Sequence, residues 1–164
     1  MLAGSVTSLR DKTQTEAIVK PTRQTVQIPA ADDIQMVYVV AGPGAGSIPV
    51  RDKAVTIGRV ENWLKAAQSV SVQFPQEKNP PNIVSNGYTG PATLVLELSL
   101  TKSIEISPAY YTWGDSPDLT RLYHYVDGVI AYQTGNQTVY LKDPAIYDWL
   151  KSGKWTSDFV FGSK

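Results

Sequence analysis

Between Leu122 and Leu141, three runs of β-favouring residues are separated by two dipeptides, Asp127-Gly128 and Gly135-Asn136. Asp-Gly suits a type I′ turn, whose central residues both need positive φ, and a leading Gly suits type II′. The segment therefore predicts an antiparallel meander of Leu122–Val126, Val129–Thr134 and Gln137–Leu141. Parallel neighbours would need crossover connections of about a dozen residues or more, and this stretch has no room for them.

The remaining sequence repeats the theme. Thr25-Val26-Gln27-Ile28 and Val70-Ser71-Val72-Gln73-Phe74 alternate polar and apolar residues, and each closes at a proline, Pro29 and Pro75. Met36–Val40 is β-branched and aromatic throughout and reads as a strand buried on both faces, while Val50–Ile57 alternates more loosely. Residues 92–106 carry the strongest alternation, with Leu94, Leu96, Leu98 and Leu100 on one face and Val95, Glu97 and Ser99 on the other. The face switches near Lys102-Ser103, which predicts a bulge or bend before Ile104 and Ile106.

Two segments read as short helices. Val60, Trp63, Leu64 and Ala67 recur at helical spacing within Arg59–Ala67. Asp143 stands where a cap belongs, Pro144 at the first helical position, Lys151 in the last turn and Gly153 at the stop. Trp155, Phe159, Val160 and Phe161 can supply a final strand. The expected class is mainly antiparallel β, a sandwich or jelly roll with two short helices.

A chain of 164 residues is expected to form one domain. Residues 1–22, polar and ending at Lys20-Pro21, read as an extended arm; residues 23–164 read as a single β-sandwich domain, with a candidate sub-boundary near Pro108. Hydrophobic residues make up 42% and charged residues 18%, enough apolar surface for a core. Fifteen basic residues balance fifteen acidic ones, so the charge does not support RNA contact. The absence of cysteine excludes disulfides, thiolate metal sites and a cysteine nucleophile. The first residues lack the apolar core of a signal peptide, and no apolar run reaches membrane-helix length, so a soluble chain without membrane insertion is expected.

Few polar motifs point to chemistry. Gly42-Pro43-Gly44-Ala45-Gly46-Ser47 lacks the Gly-Lys-Ser/Thr ending of a phosphate loop and reads as a strand connection. Gly114-Asp115-Ser116 looks like the nucleophile block of one class of serine esterases. The lone histidine, His124, lies eight residues on in a strand, and a serine needs a base oriented by a third group. His124, between Tyr123 and Tyr125, reads as a packed strand residue. Asp32-Asp33 and Asp115 with Asp118 match no twelve-residue calcium loop, and Asn136-Gln137-Thr138 reads as a turn rather than a glycosylation site. Glycoside hydrolysis by paired carboxylates among Glu61, Glu97, Glu105, Asp127 and Asp148 depends on separations that a sequence does not fix. No catalytic residue, metal ligand or cofactor is assigned.

The aromatics carry more. Of nine Tyr and four Trp, Tyr88, Tyr110, Tyr111 and Trp113 fall in expected loops, where rigid rings with a polar handle suit protein interfaces or sugar stacking.

The stretch Gly90–Leu100, continuing to Ile106-Ser107-Pro108, resembles the closing strand of the jelly-roll coat domain of small icosahedral RNA viruses: a Gly-led alternating strand with a central Glu that ends at a proline. The Pro-terminated arm before Thr25 is similar to the arms that link such subunits. The arm is not polybasic, and few strands precede residue 92, so the chain departs from that pattern in both respects. The resemblance implies a non-enzymatic, self-assembling structural protein located in a virion, whose partners are copies of itself. The alternative expectation is a β-sandwich module that binds a carbohydrate or a host receptor through Tyr110, Tyr111 and Trp113.

Overall fold

A computed structural model describes residues 16–41, 46–76, 85–86, 91–113 and 120–160. The strands are β1 (Ile18–Pro21), β2 (Met36–Val40), β3 (Ser47–Pro49), β4 (Gln68–Gln73), β5 (Ser85–Asn86), β6 (Thr93–Glu97), β7 (Ser103–Trp113), β8 (Thr120–Thr134) and β9 (Gln137–Lys142). The helices are α1 (Lys53–Ala66) and α2 (Pro144–Lys151). Eight strands pair antiparallel in the order β1-β4-β9-β8-β7-β6-β2-β3, and β5 adds a short parallel pairing to β8. The fold is thus mainly antiparallel β with two helices. Among the described residues the strands belong to one sheet, and the layer packed over its core is helical.

Alternation decides which face is covered. Val37 and Val39, Leu94 and Leu96, Ile104 and Ile106, Ile130 and Tyr132, and Leu141 all point to one side and are almost fully buried. Against them pack Ile57, Val60 and Leu64 of α1, Ile146, Trp149 and Leu150 of α2, and Trp155 and Phe159 beyond it. Trp149 Nε1 and Arg59 Nη1 both donate to Asp158 Oδ2, at 3.0 and 2.8 Å, and Trp63 meets Trp149 edge-on at 5.7 Å. This shared carboxylate ties both helices to the turn at Lys154–Asp158.

α2 forms as its sequence dictates. Asp143 Oδ1 accepts from Ile146 N at 3.1 Å, Pro144 occupies the first turn, and Gly153 takes φ +82°. α1 is longer than expected because it starts at Asp52, whose side chain accepts from Val55 N at 3.1 Å. Val50–Ile57 is therefore not a strand. Thr56, Ile57, Val60 and Leu64 bury one helical stripe while Val55 is exposed.

Other expectations are corrected as well. Thr25–Ile28 is irregular, held by Tyr132 Oη donating to Gln27 O at 3.0 Å. Burial of that phenol pushes its pKa up to about 12. β2 is buried on one face only, with Met36 exposed. Residues 98–102 form a hairpin turn rather than a bulge: Leu98 N and Ser99 N both donate to Lys102 O, and Leu100 is wholly exposed. Gly135-Asn136 does turn the chain, with Gly135 at φ +56°. The aromatic tail Trp155–Val160 gives a short helical turn and a single bridge from Phe159 to Val50 instead of a strand; Phe161 lies outside the described residues.

The Asp127-Gly128 turn does not occur. β8 runs on through it as one 15-residue strand, and the irregularity is a bulge. Pairing steps from Pro108↔Ile130 to Tyr110↔Tyr125, so Val126–Val129 on β8 face the single residue Ala109 on β7. Gly128 supplies the required φ of +72°, and its carbonyl accepts from Asp143 N at 2.9 Å. Pro108 sits within β7, fully buried, and the sheet continues past it. Within the described part of the expected arm, residues 16–22, Ile18–Pro21 form the edge strand β1, whose residues are all exposed.

Candidate functional site: a tyrosine-lined cleft on the helix-free face

The residues that alternate with the core positions build the opposite face of the sheet. Register places them in two rows. Glu105 pairs with Gln133, and Gln133 with Thr138, which gives a polar row across β7, β8 and β9. Two residues further along, Ser107 pairs with Ala131, and Ala131 with Tyr140. Cross-strand neighbours stand about 5 Å apart, so each row presents a continuous line of side chains. The small residues Ser107, Ala131 and Thr93 leave a depression, and the sheet itself forms its floor.

The bulge supplies the wall. Beyond Pro108 and Gly128, the distal halves of β7 and β8 bring Tyr110, Tyr111, Thr112 and Tyr123 to the side of this depression. The result is a cleft of about 730 Å3, within the roughly 300–1,000 Å3 range of small-molecule sites. Glu105 is its one charged lining residue among those described.

Beside the cleft, a second apolar cluster fixes the wall. Val70, Ala109, Val126 and Val129 are buried, and Phe74 packs edge-on against Tyr111 at 6.1 Å and Tyr140 at 5.5 Å. Tyr111 also stacks on His124, with ring centroids 5.3 Å apart and planes within 14°. His124 is thus a packed strand residue, as its alternation implies.

Tyr110 differs from Tyr111. It is 39% exposed and meets Tyr123 at 5.1 Å with planes tilted by 56°. Burial raises the pKa of Tyr110, and nearby Tyr123 adds to this; burial also raises that of Tyr140, with Tyr110 contributing. Both phenols therefore stay protonated at neutral pH and present hydroxyls that donate and accept.

The expected aromatic residues divide accordingly. Tyr110 and Tyr111 reach the cleft, from a strand rather than from a loop. Trp113 ends β7, half-buried, edge-on to Tyr111 at 6.4 Å, and does not line the cleft. Tyr88 lies outside the described residues, as do Gly114-Asp115-Ser116, Asp118 and most of the Gly42–Gly46 run. Sequence reading named Glu105 only as a candidate carboxylate and missed Gln133, Thr138, Tyr123 and Tyr140. The alternation of Glu105, Gln133, Thr138 and Tyr140 with Ile104, Tyr132, Val139 and Leu141 marks those four as the opposite face once the core is known.

Of the five carboxylates considered for hydrolysis, Glu97 and Glu105 are neighbours on β6 and β7 and the other three lie on other elements or in the bulge. Glu97 accepts from Tyr38 Oη at 2.9 Å. Burial first, then that bond and the charges of Glu97 and Glu105, raise the pKa of Tyr38; the pairings Tyr38↔Val95 and Val95↔Glu105 put these residues and Glu97 on the same face. Asp127 lies in the bulge, Glu61 is on α1, and Asp148 on α2 pairs with Lys154. Asp32 and Asp33 are exposed in a single helical turn. Among the described residues, no three metal-ligating side chains are grouped, and no helix is long and apolar enough to cross a membrane.

Compared with protein families, with curated proteins and with solved structures, the chain has no match.

Proposed function

We propose that this chain is a non-enzymatic structural subunit that assembles with copies of itself, of the kind that builds a virus particle. The observation that carries the reading is β1. It is paired to β4 on one side only, its Ile18 and Val19 side chains are 40% and 38% exposed, and among the described residues no strand takes its outer edge. An exposed edge is a template for another chain, and β1 keeps two apolar residues, Ile18 and Val19, ahead of the Lys20-Pro21 pair that blunts its end.

The opposite edge is shorter. β3 has three residues against four in β1, and both end at a proline, Pro49 and Pro21. Pairing of β1 with β1 of a second copy is therefore the favoured contact, and it is self-complementary about a two-fold axis. The linking role expected of residues 1–22 supports the same reading, whereas the stretch likened to a coat-domain strand divides into β6, a turn and β7.

Light scattering and electron microscopy of the full chain test it. Discrete oligomers or particles are expected, and Ile18→Lys with Val19→Lys should disperse them while leaving the far-ultraviolet dichroism and the melting temperature unchanged. A strictly monomeric wild-type chain across a protein and salt series overturns the proposal.

A further inference from the structure

We infer that the cleft on the helix-free face is a binding site for a neutral oligosaccharide, a site separate from the assembly edge. Three observations select that class of ligand.

The floor is polar but almost uncharged. Glu105, Gln133 and Thr138 form one continuous donor and acceptor row, because each is the cross-strand partner of the next. A carboxylate and an amide side by side can each bridge neighbouring hydroxyls of a pyranose. No cation lines the cleft among the described residues, and Glu105 disfavours anions. Phosphorylated or sialylated ligands are thereby selected against.

The wall is aromatic and partly open. Tyr110 lines the cleft, is 39% exposed and tilted against Tyr123, and its phenol stays neutral. A half-exposed ring presents a face to the C–H side of a sugar and an oxygen to its edge.

The shape is pre-formed. Its depth comes from the small side chains of Ser107 and Ala131 on adjacent strands, and its wall is held by the Phe74, Tyr111 and His124 ring contacts. A site built on strands and fixed by packing binds without a large ordering cost.

The test uses the full chain and calorimetric titration against defined neutral hexasaccharides of glucose, mannose, xylose and N-acetylglucosamine, with sialyllactose as the anionic comparison. At least one neutral series is expected to bind at millimolar concentration or below, with sialyllactose weaker. Tyr110→Ala is expected to weaken that binding by about three- to tenfold, and Glu105→Gln or Gln133→Ala to change preference among the sugars. A melting temperature measured on each variant separates loss of a contact from loss of fold. Should none of the neutral sugars bind, should sialyllactose bind best, or should Tyr110→Ala bind like the parent while folding normally, the assignment fails. Assembly through β1 is read independently, because none of these substitutions touches that edge.

Discussion

Asp143 offers the sharpest test of the energetics. Its side chain is 3% exposed, Oδ1 caps α2, and Oδ2 has no hydrogen-bond partner in its buried position. Burial raises its pKa above the ordinary value of 3.8, against the lowering effect of the Ile146 and Ala145 amides. The folded state therefore holds this proton more tightly than the unfolded chain does. The associated stability is fully present below pH 3.8 and is lost as pH rises through the folded pKa. Asp143→Asn keeps the capping oxygen and removes the ionisation, so at neutral pH it should be at least as stable as the parent. Asp143→Ala removes the cap as well and should fall below Asp143→Asn by about 1 kcal/mol, roughly 2–4 °C in melting temperature for a chain of this size. Thermal unfolding between pH 3 and 7 measures both. The gap between Asp143→Asn and the parent should widen as pH rises through the carboxylate range. A gap independent of pH, or equal stability of the Asn and Ala variants, would refute the account.

Three further outcomes are expected. Asp158→Ala strands the buried Trp149 indole and releases Arg59, costing about 2 kcal/mol by chemical denaturation; a change below 0.5 kcal/mol would show that the shared carboxylate does not hold the helices. Gly128→Ala forces an L-residue to φ +72°, where only Pro144 Cγ comes near the new Cβ, at 3.9 Å. The cost should be pure backbone strain of about 1–2 kcal/mol, and Gly128→Asn should recover part of it. Ile106→Ala opens a cavity at a fully buried position and should cost about 2–5 kcal/mol, whereas Leu100→Ser at a wholly exposed turn should stay within about 0.5 kcal/mol of the parent.

The legible parts of the fold were those where local chemistry and tertiary packing agree. Asp143, Pro144 and Gly153 mark α2 from end to end, and Gly135-Asn136 marks a true hairpin. The misreadings share a cause: local signals serve more than one geometry. Asp127-Gly128 offers positive φ, which a bulge needs as much as a turn does, and long-range pairing of β7 with β8 decides between them. Leu98 and Leu100 continue an alternation that in fact ends at Glu97, because Ser99 bonds the Thr101 and Lys102 amides and closes the turn. Asp52 caps α1, but Val50–Ile57 carries enough β-branched residues to hide the boundary. In the cleft, Tyr110 and Tyr111 were found by residue type. Gln133 and Tyr140 were not, and Glu105 stood only among scattered carboxylates, since their meeting depends on cross-strand register rather than on sequence proximity.

Gly128 stands where two responsibilities meet. Its backbone conformation diverts β8 into the cleft wall on one side of the sheet, and its carbonyl receives the amide of the residue that starts α2 on the other. The cleft wall and the helical layer are in this way hung from a single peptide. A substitution at Tyr110 or Gln133 changes the cleft alone, but an insertion beside Gly128 alters both faces at once.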